Sequence, residues 1–570
     1  MNRKLNPFVT HEFNEMEKIM KCALNPLIII IFSIFCLQSA LAQVTPDRLL
    51  NAENEPDSWL LYGGDYDSQR HSELTQITKA NVADLELQWV WQNRAPDGAS
   101  QKFEATPLVV DGVMYTVAAP NNVIAVDPVS GRLFWIYNYT PSLDARVCCG
   151  RVNRGLAMHG NSLFMGTIDG KLVKIDSRTG KPQWMIDVAP PELGYALTLA
   201  PLIIDNKVIV GPAGGEYGIR GFIAAFDVDS GEKLWQFNTI PAPGDPGSET
   251  WTDARQQAWE TGGGSIWQTG SYDPELNLTY WGVGNPGPDW NGDSRPGDNL
   301  YTESVVALNP DTGEIAWHYQ FTPHDEMDYD ATQTAVLADL NWQGEDRKVM
   351  LFANRNGVFY VLDRESGEFL LGEPFVSVNW MSGFEADGRP IRALYPTEEG
   401  TFIMPNNQGA TNWYPPSYSP VTELLYVPTW LDTFSVYTKR PVEYTPGQQY
   451  VGAFPTMAMP ALGVNAVNQR TPEEGLGAIQ AINPQNGEIV WRHVMNNVTD
   501  SGVLSTATNL VFAGGREGHF YALDAETGEE LWRQTLGGQI ASGPMSYAIN
   551  GKQYVAISAG AGLFVFALPD

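Results

Sequence analysis

One unit recurs seven times in this chain, and few folds accommodate it. Each copy holds an apolar pair, Asp or Asn, three variable residues ending in Ser, Thr or Asn, a Gly, and a short strand ending in Trp or Leu. The copies read AVDPVSGRLFW (125–135), KIDSRTGKPQW (174–184), AFDVDSGEKLW (225–235), ALNPDTGEIAW (307–317), VLDRESGEFLL (361–371), AINPQNGEIVW (481–491) and ALDAETGEELW (522–532). The pattern predicts a hairpin whose turn uses the positive φ open to glycine, followed by an aromatic side chain that packs on the neighbouring unit.

The turn glycines (131, 180, 231, 313, 367, 487 and 528) are 49, 51, 82, 54, 120 and 41 residues apart, the spacing of four-stranded blades with insertions. The gap of 120 has room for one further, degenerate blade around residues 418–430, which brings the count to eight. The expectation is an all-β chain: an eight-bladed β-propeller with tryptophan-docking repeats. Closure into a ring leaves only short strand edges exposed. LELQWVWQN (85–93) is expected to pair with GLFVFALP (562–569) and so join the two ends. An open solenoid of the same repeats is the alternative.

Before the repeats, an apolar run at 27–37 follows Lys18 and Lys21 and precedes Ser39-Ala40-Leu41-Ala42. That order is a secretory signal, too short to span a bilayer as a mature helix. The expected division is a signal peptide at 1–42, a single blade-built domain at 43–570, export to the periplasm, and no membrane span in the mature chain. A net charge of -31 sets this chain against nucleic acid and anionic membrane surfaces.

The segments 238–302 and 372–475 interrupt the repeats and are rich in Gly, Pro, Trp and Asn, as functional loops are. The glycine clusters at 211–221 and 262–264 do not open a helix after a strand, so no dinucleotide-binding unit is read, and zinc-type Cys/His spacing and CxxCH haem attachment are absent from the sequence. A redox enzyme built on this chain must hand its electrons to another protein. Cys22 and Cys36 belong to the signal segment, which leaves the adjacent pair Cys148 and Cys149 in RVCCGRVNRG (146–155). Two readings stand at this point: a disulfide between neighbours, strained by a Cα separation of about 3.8 Å, or two buried thiols serving as small apolar residues.

The tryptophan repeat, the Cys pair with Arg154 five residues on, and the stretches GPAGGEYGIRG (211–221), WGVGNPGPDWNGD (281–293) and TPHDEMDYDATQ (322–333) together resemble the quinoprotein alcohol dehydrogenases. These are the exported methanol and ethanol dehydrogenases that use pyrroloquinoline quinone (PQQ). The resemblance runs in one order from about residue 59 to the C-terminus. It implies a Cys148–Cys149 disulfide on one face of the flat cofactor and Trp267 on the other. It implies cofactor contacts from Glu104, Arg154, Thr198, Gly214, Gly215, Arg355 and Asn412. A metal ion beside the quinone would take Glu216, Asn285, Asp328 and Asp330, all oxygen donors suited to a hard cation. Asp328 would be the catalytic base that receives the alcohol's hydroxyl proton while hydride passes to the quinone, with Asp325 in the same motif as the competing candidate. Asp330, two residues after Asp328, resembles the lanthanide-dependent members of the family, so a lanthanide is expected in preference to Ca²⁺.

The expected substrate is a small-molecule primary alcohol and the electron acceptor a soluble cytochrome c; the oligomeric state stays open, a homodimer included. Trp290, Met381, Trp413, Trp430 and residues 454–462 suggest an apolar entrance for alcohols larger than methanol. Other substrate classes for the same cofactor (polyol, sugar, polymeric alcohol, aldehyde) and a non-catalytic scaffold of the outer-membrane assembly type are the alternatives. Ala213, Asp500 and the short C-terminus after Gly562 depart from the family pattern and imply altered contacts at the cofactor's edge.

Overall fold

A computed structural model describes residues 43–93, 102–453 and 476–570. The expected signal segment, 1–42, and residues 454–462 lie outside them. Among the described residues no helix is long and apolar enough to cross a membrane.

Eight sheets account for the repeats and the two chain ends, each four antiparallel strands, with His71–Ser72 added in parallel to the one that begins at Leu504–Thr506. The first blade runs Leu108–Val110, Val113–Ala118, Asn122–Val126 and Leu133–Tyr137. Its second strand is buried and its fourth mostly exposed, so the fourth is the outer strand. The repeat lies at the turn between strands three and four. In the first copy Asp127 Oδ1 accepts from the backbone N–H of Val129 and Ser130, and Gly131 N–H returns to Asp127 O at 2.8 Å. This Asx turn explains why each unit has Asp or Asn four residues before Gly.

The tryptophans join the blades. Trp89, Trp135, Trp184, Trp235, Trp317 and Trp491 each lie against the turn glycine of the following blade, at Gly131, Gly180, Gly231, Gly313, Gly367 and Gly528. Several of them also donate their indole N–H to a turn carbonyl, as Trp491 does to Ala525 O at 2.9 Å. The fifth copy ends in Leu371, and there Gly487 meets Glu373 and Leu371 instead. Trp532 meets Phe566 of the closing blade edge-on at 5.4 Å. Glu86–Gln92 pairs with Gly562–Ala567, as the sequence led us to expect, and the ring is complete.

The eighth blade is this closing one. The 120-residue gap holds no blade of its own: Ser417–Ser419 and Leu424–Trp430 are the first two strands of the blade whose last two are Gly477–Ile482 and Ile489–Met495. The sequence expectation reached eight by placing a blade where an insertion divides one. That insertion and the loop before it form two small hairpin-like sheets, Met381–Phe384 with Pro390–Arg392 and Thr401–Ile403 with Ser435–Tyr437.

Gly528 has φ +72°, and a Cβ there would come within 2.5 Å of the Trp491 ring. Gly528→Ala therefore combines left-handed strain with displacement of the docked indole. We expect a loss of about 2–3 kcal/mol, read from the midpoint of chemical denaturation.

Candidate active site

Strand direction decides where function collects. In a four-stranded antiparallel blade, the connection between strands two and three and the link to the next blade leave at one end. The repeat turns leave at the other. Every residue singled out as a candidate ligand lies on the first kind of connection, so seven blades present their candidates to one end of the ring while the docked tryptophans hold the opposite end.

There a cavity of about 180 Å³ opens. Cys148, Cys149 and Trp267 wall it, and Cys148 and Cys149 are disulfide-bonded across one peptide with Cα atoms 3.8 Å apart. Glu104, Arg154, Thr198, Gly214 and Asn412 line it, as do Glu216, Asp328, Asp330 and Arg355. Gly215 and Asn285 stand just behind the wall: a Cβ on Gly215 would meet Asn285 Oδ1 at 2.6 Å, so the glycine makes room for the amide. Of the aromatics suggested for an entrance, Trp413 lines the cavity. Trp290 and Met381 pack in a separate apolar cluster with Tyr329 and Trp380, and Trp430 is buried beneath Arg516.

Arg154 is held on several sides. Its guanidinium lies over the rings of Trp267 and Trp413 at 4.8 and 4.7 Å, pairs with Glu104 at 3.1 Å and donates to Thr198 Oγ1 at 3.1 Å. Burial holds the Glu104 carboxyl above the usual range, with Arg154 and Lys102 opposing.

Five other carboxyls cluster towards the far side. Arg355 pairs with Asp328 at 3.0 Å and with Asp330 at 2.5 Å, and Asp330 Oδ1 accepts from Asn285 N–H at 2.8 Å. Glu216 Oε1 lies 3.8 Å from Cys149 Sγ. Asp289 and Glu303, which sequence reasoning missed, are fully buried, and none of their four oxygens has a hydrogen-bond partner. Burial, then the neighbouring carboxylates, holds both well above the usual range. Burial also raises Asp328, with Arg355 opposing, and pushes Glu216 up to about 7, helped by Asp330.

Among the described residues only Arg355 places a guanidinium in hydrogen-bond contact with this group. Five buried carboxyls carry more acid than Arg355, and Arg295 acting on Asp289, can offset, and a cation sharing their oxygens would relieve that excess. The donors are carboxylate and amide oxygens, so the set fits a hard metal ion. Asp325 plays a different part. Its carboxylate accepts from the backbone N–H of Met327, Asp328 and Tyr329, shaping the loop that holds Asp328 at φ +61°.

The carboxyls set a pH dependence. A carboxyl raised in the fold keeps its proton where the unfolded chain has lost it, so the metal-free protein loses stability as pH rises through the folded pKa. His71 and His324, lowered by burial to about 4, act in the opposite sense, but only below about 6.5. Between pH 6.5 and 8 the carboxyls prevail. We expect the melting temperature in chelator to fall across that interval and to hold level once metal is bound; a level curve in chelator would show the carboxyls already ionised.

The fold and this site define a quinoprotein. The family model described as "Glucose/ethanol/alcohol dehydrogenase, beta-propeller domain" for PQQ enzymes matches residues 59–374 and 389–555. The chain belongs to the PQQ-dependent alcohol dehydrogenase family. It is 38% identical over 548 residues to quinohemoprotein alcohol dehydrogenase ADH IIB of Pseudomonas putida, covering 92% of this chain and 76% of that protein. It is also 38% identical over 533 residues to the 1-butanol dehydrogenase (cytochrome c) of Thauera butanivorans, covering 88% and 74%. Among solved structures, a europium-containing methanol dehydrogenase superposes with a TM-score of 0.83 at 33% identity, covering 92% of this chain and all of that one.

Proposed function

We propose that this chain is a periplasmic alcohol dehydrogenase that binds PQQ between the Cys148–Cys149 disulfide and Trp267 and oxidises primary alcohols to aldehydes. A metal ion, a lanthanide in preference to Ca²⁺, would be held by Glu216, Asn285, Asp328 and Asp330. The observation that carries this reading is the cavity itself: two hydrophobic walls, an arginine between tryptophans, and an over-acidic group of hard donors.

When bound, the quinone supplies the hydride acceptor and the metal a Lewis acid that polarises its carbonyl. Asp328 receives the hydroxyl proton of the alcohol. Burial raises its basicity while Arg355 opposes, which suits a base working near neutral pH. Arg355 stays paired with Asp328 and Asp330 and offers charge to developing oxyanion character. Arg154 and Asn412 present donors to the cofactor's edge, and the disulfide and Trp267 exclude water from its faces.

Residues 1–42 read as an export signal, and a neighbour disulfide suits an oxidising compartment. The Thauera butanivorans relative is named with cytochrome c, which supports a soluble cytochrome c as the acceptor. Protein loaded with PQQ and lanthanum should reduce a phenazine-linked dye with primary alcohols of increasing length. A loaded preparation that turns over none of them would overturn the reading.

A further inference from the structure

At the end of the cavity marked by Glu104 lies a second ion pair. Asp500 precedes the blade strand Leu504–Thr506, and Arg516 lies on the connection between Leu510–Gly514 and His519–Asp524. Both line the cavity. Arg516 donates Nε and Nη2 to the two Asp500 oxygens at 2.9 and 3.1 Å, and its guanidinium lies over the Trp430 ring at 4.9 Å. Gln539 also donates to Asp500, and Lys102 Nζ stands 3.9 Å away.

Asp500 is therefore saturated from within the protein, and its oxygens are directed to Arg516, Gln539 and Lys102. Its effect is to fix the guanidinium plane. Fork-to-fork pairing engages one edge of Arg516, and Nη1 makes no hydrogen bond among the described residues. The ionisable groups here are Glu104 and Asp500 against Lys102, Arg154 and Arg516, one net positive charge. The other end holds five carboxyls beside Arg355, oxygen donors that favour a cation. Tyr414 also lines the cavity, and its hydroxyl feels Asp500 and Arg516 as well as Arg355. The cavity is thus polarised: a cation is favoured at one end and an anion at the other.

We propose that Arg516, oriented by Asp500 and stacked on Trp430, binds a carboxylate of the quinone at the end of the cavity away from Asp328 and Asp330, with Lys102 adding charge beside it. This rests on PQQ being the cofactor. It also assigns a role to Asp500, where the sequence departs from its relatives: the acid is a positioning residue for an arginine that the family pattern did not point to. An arginine prepositioned by a buried carboxylate and a ring loses little side-chain freedom when it meets its ligand.

The test is equilibrium binding of PQQ to lanthanum-loaded protein, followed by quenching of tryptophan fluorescence. Arg516→Gln should weaken binding on the order of 30-fold, the scale of a lost charge-assisted contact, and flatten the dependence of log Kd on log salt. Arg516→Lys should recover part of that affinity by restoring the charge. Unchanged affinity and salt slope in Arg516→Gln overturn the inference while leaving PQQ as the cofactor. Absence of PQQ binding by the unsubstituted protein overturns the proposed function itself. If Arg516→Gln does not fold, Lys102→Gln, at a half-exposed side chain, decides: a flatter salt slope supports the cationic end, and an unchanged slope overturns it.

Discussion

Asp328→Asn is expected to lower kcat by about two to four orders of magnitude at saturating alcohol, the contribution typical of a positioned general base, with PQQ still bound. Asn keeps the volume and one oxygen donor, and it tolerates the φ of +61° imposed on this position. Asp325 continues to accept from the N–H of residue 328 at 2.7 Å, so the loop keeps its shape. What is lost is the anion that receives the proton and faces Arg355 at 3.0 Å. Dye-linked turnover together with PQQ absorbance checks this; activity within tenfold of the parent would move the base elsewhere. Burial and three neighbouring acids favour the protonated form of Asp328, against Arg355. A cation among these oxygens returns it to the carboxylate that a base requires. The same ion that suits the donor set thus also puts the base in its working state.

The repeat made the architecture legible because its turn chemistry is local. Asp127, Gly131 and their counterparts lie within a few residues of each other, and the tryptophan that follows packs on the next copy. The division of one blade by the 431–476 insertion was not legible. Strand pairing across it, such as Pro428 with Ile479, leaves no mark in either strand alone. At the site, the residues found from sequence sit in distinctive strings. Asp289 lies inside one of those strings and Glu303 just before the strand Ser304–Leu308, yet neither stands out, because an acid beside glycines or at a strand end reads as solvated until the fold buries it. Asp325 and Asp328 were equivalent by type, and only the backbone N–H groups converging on Asp325 separate a loop-shaping carboxylate from one facing the cavity. Trp290 and Met381 show the reverse error, since aromatic and apolar residues in long loops suggest an entrance, whereas Trp290 is buried and Met381 packs against its cluster.

Asp330→Ala is expected to remove lanthanide-supported activity, by about 100-fold or more for a residue contributing at a metal site. Charge is the first reason. The five clustered carboxyls outnumber Arg355 and the buried Arg295 that acts on Asp289, so a trivalent ion offsets one more negative charge than a divalent ion does, in a buried setting where each is costly. Geometry is the second. Asp330 is tied by Arg355 at 2.5 Å and by Asn285 N–H at 2.8 Å, so its carboxylate is fixed beside both Asp328 and the Asn285 amide. Asp330→Asn separates the two contributions: it keeps the bulk and the acceptor for Asn285 N–H but removes the charge, and should fall between the parent and the alanine variant. Melting temperature and PQQ affinity, measured alongside, distinguish loss of metal from loss of fold. The unsubstituted protein, stripped and reloaded, should turn over alcohol with La³⁺. Equal turnover with Ca²⁺ alone would sink the lanthanide assignment, and Asp330 would then be only the partner that holds Arg355 in place.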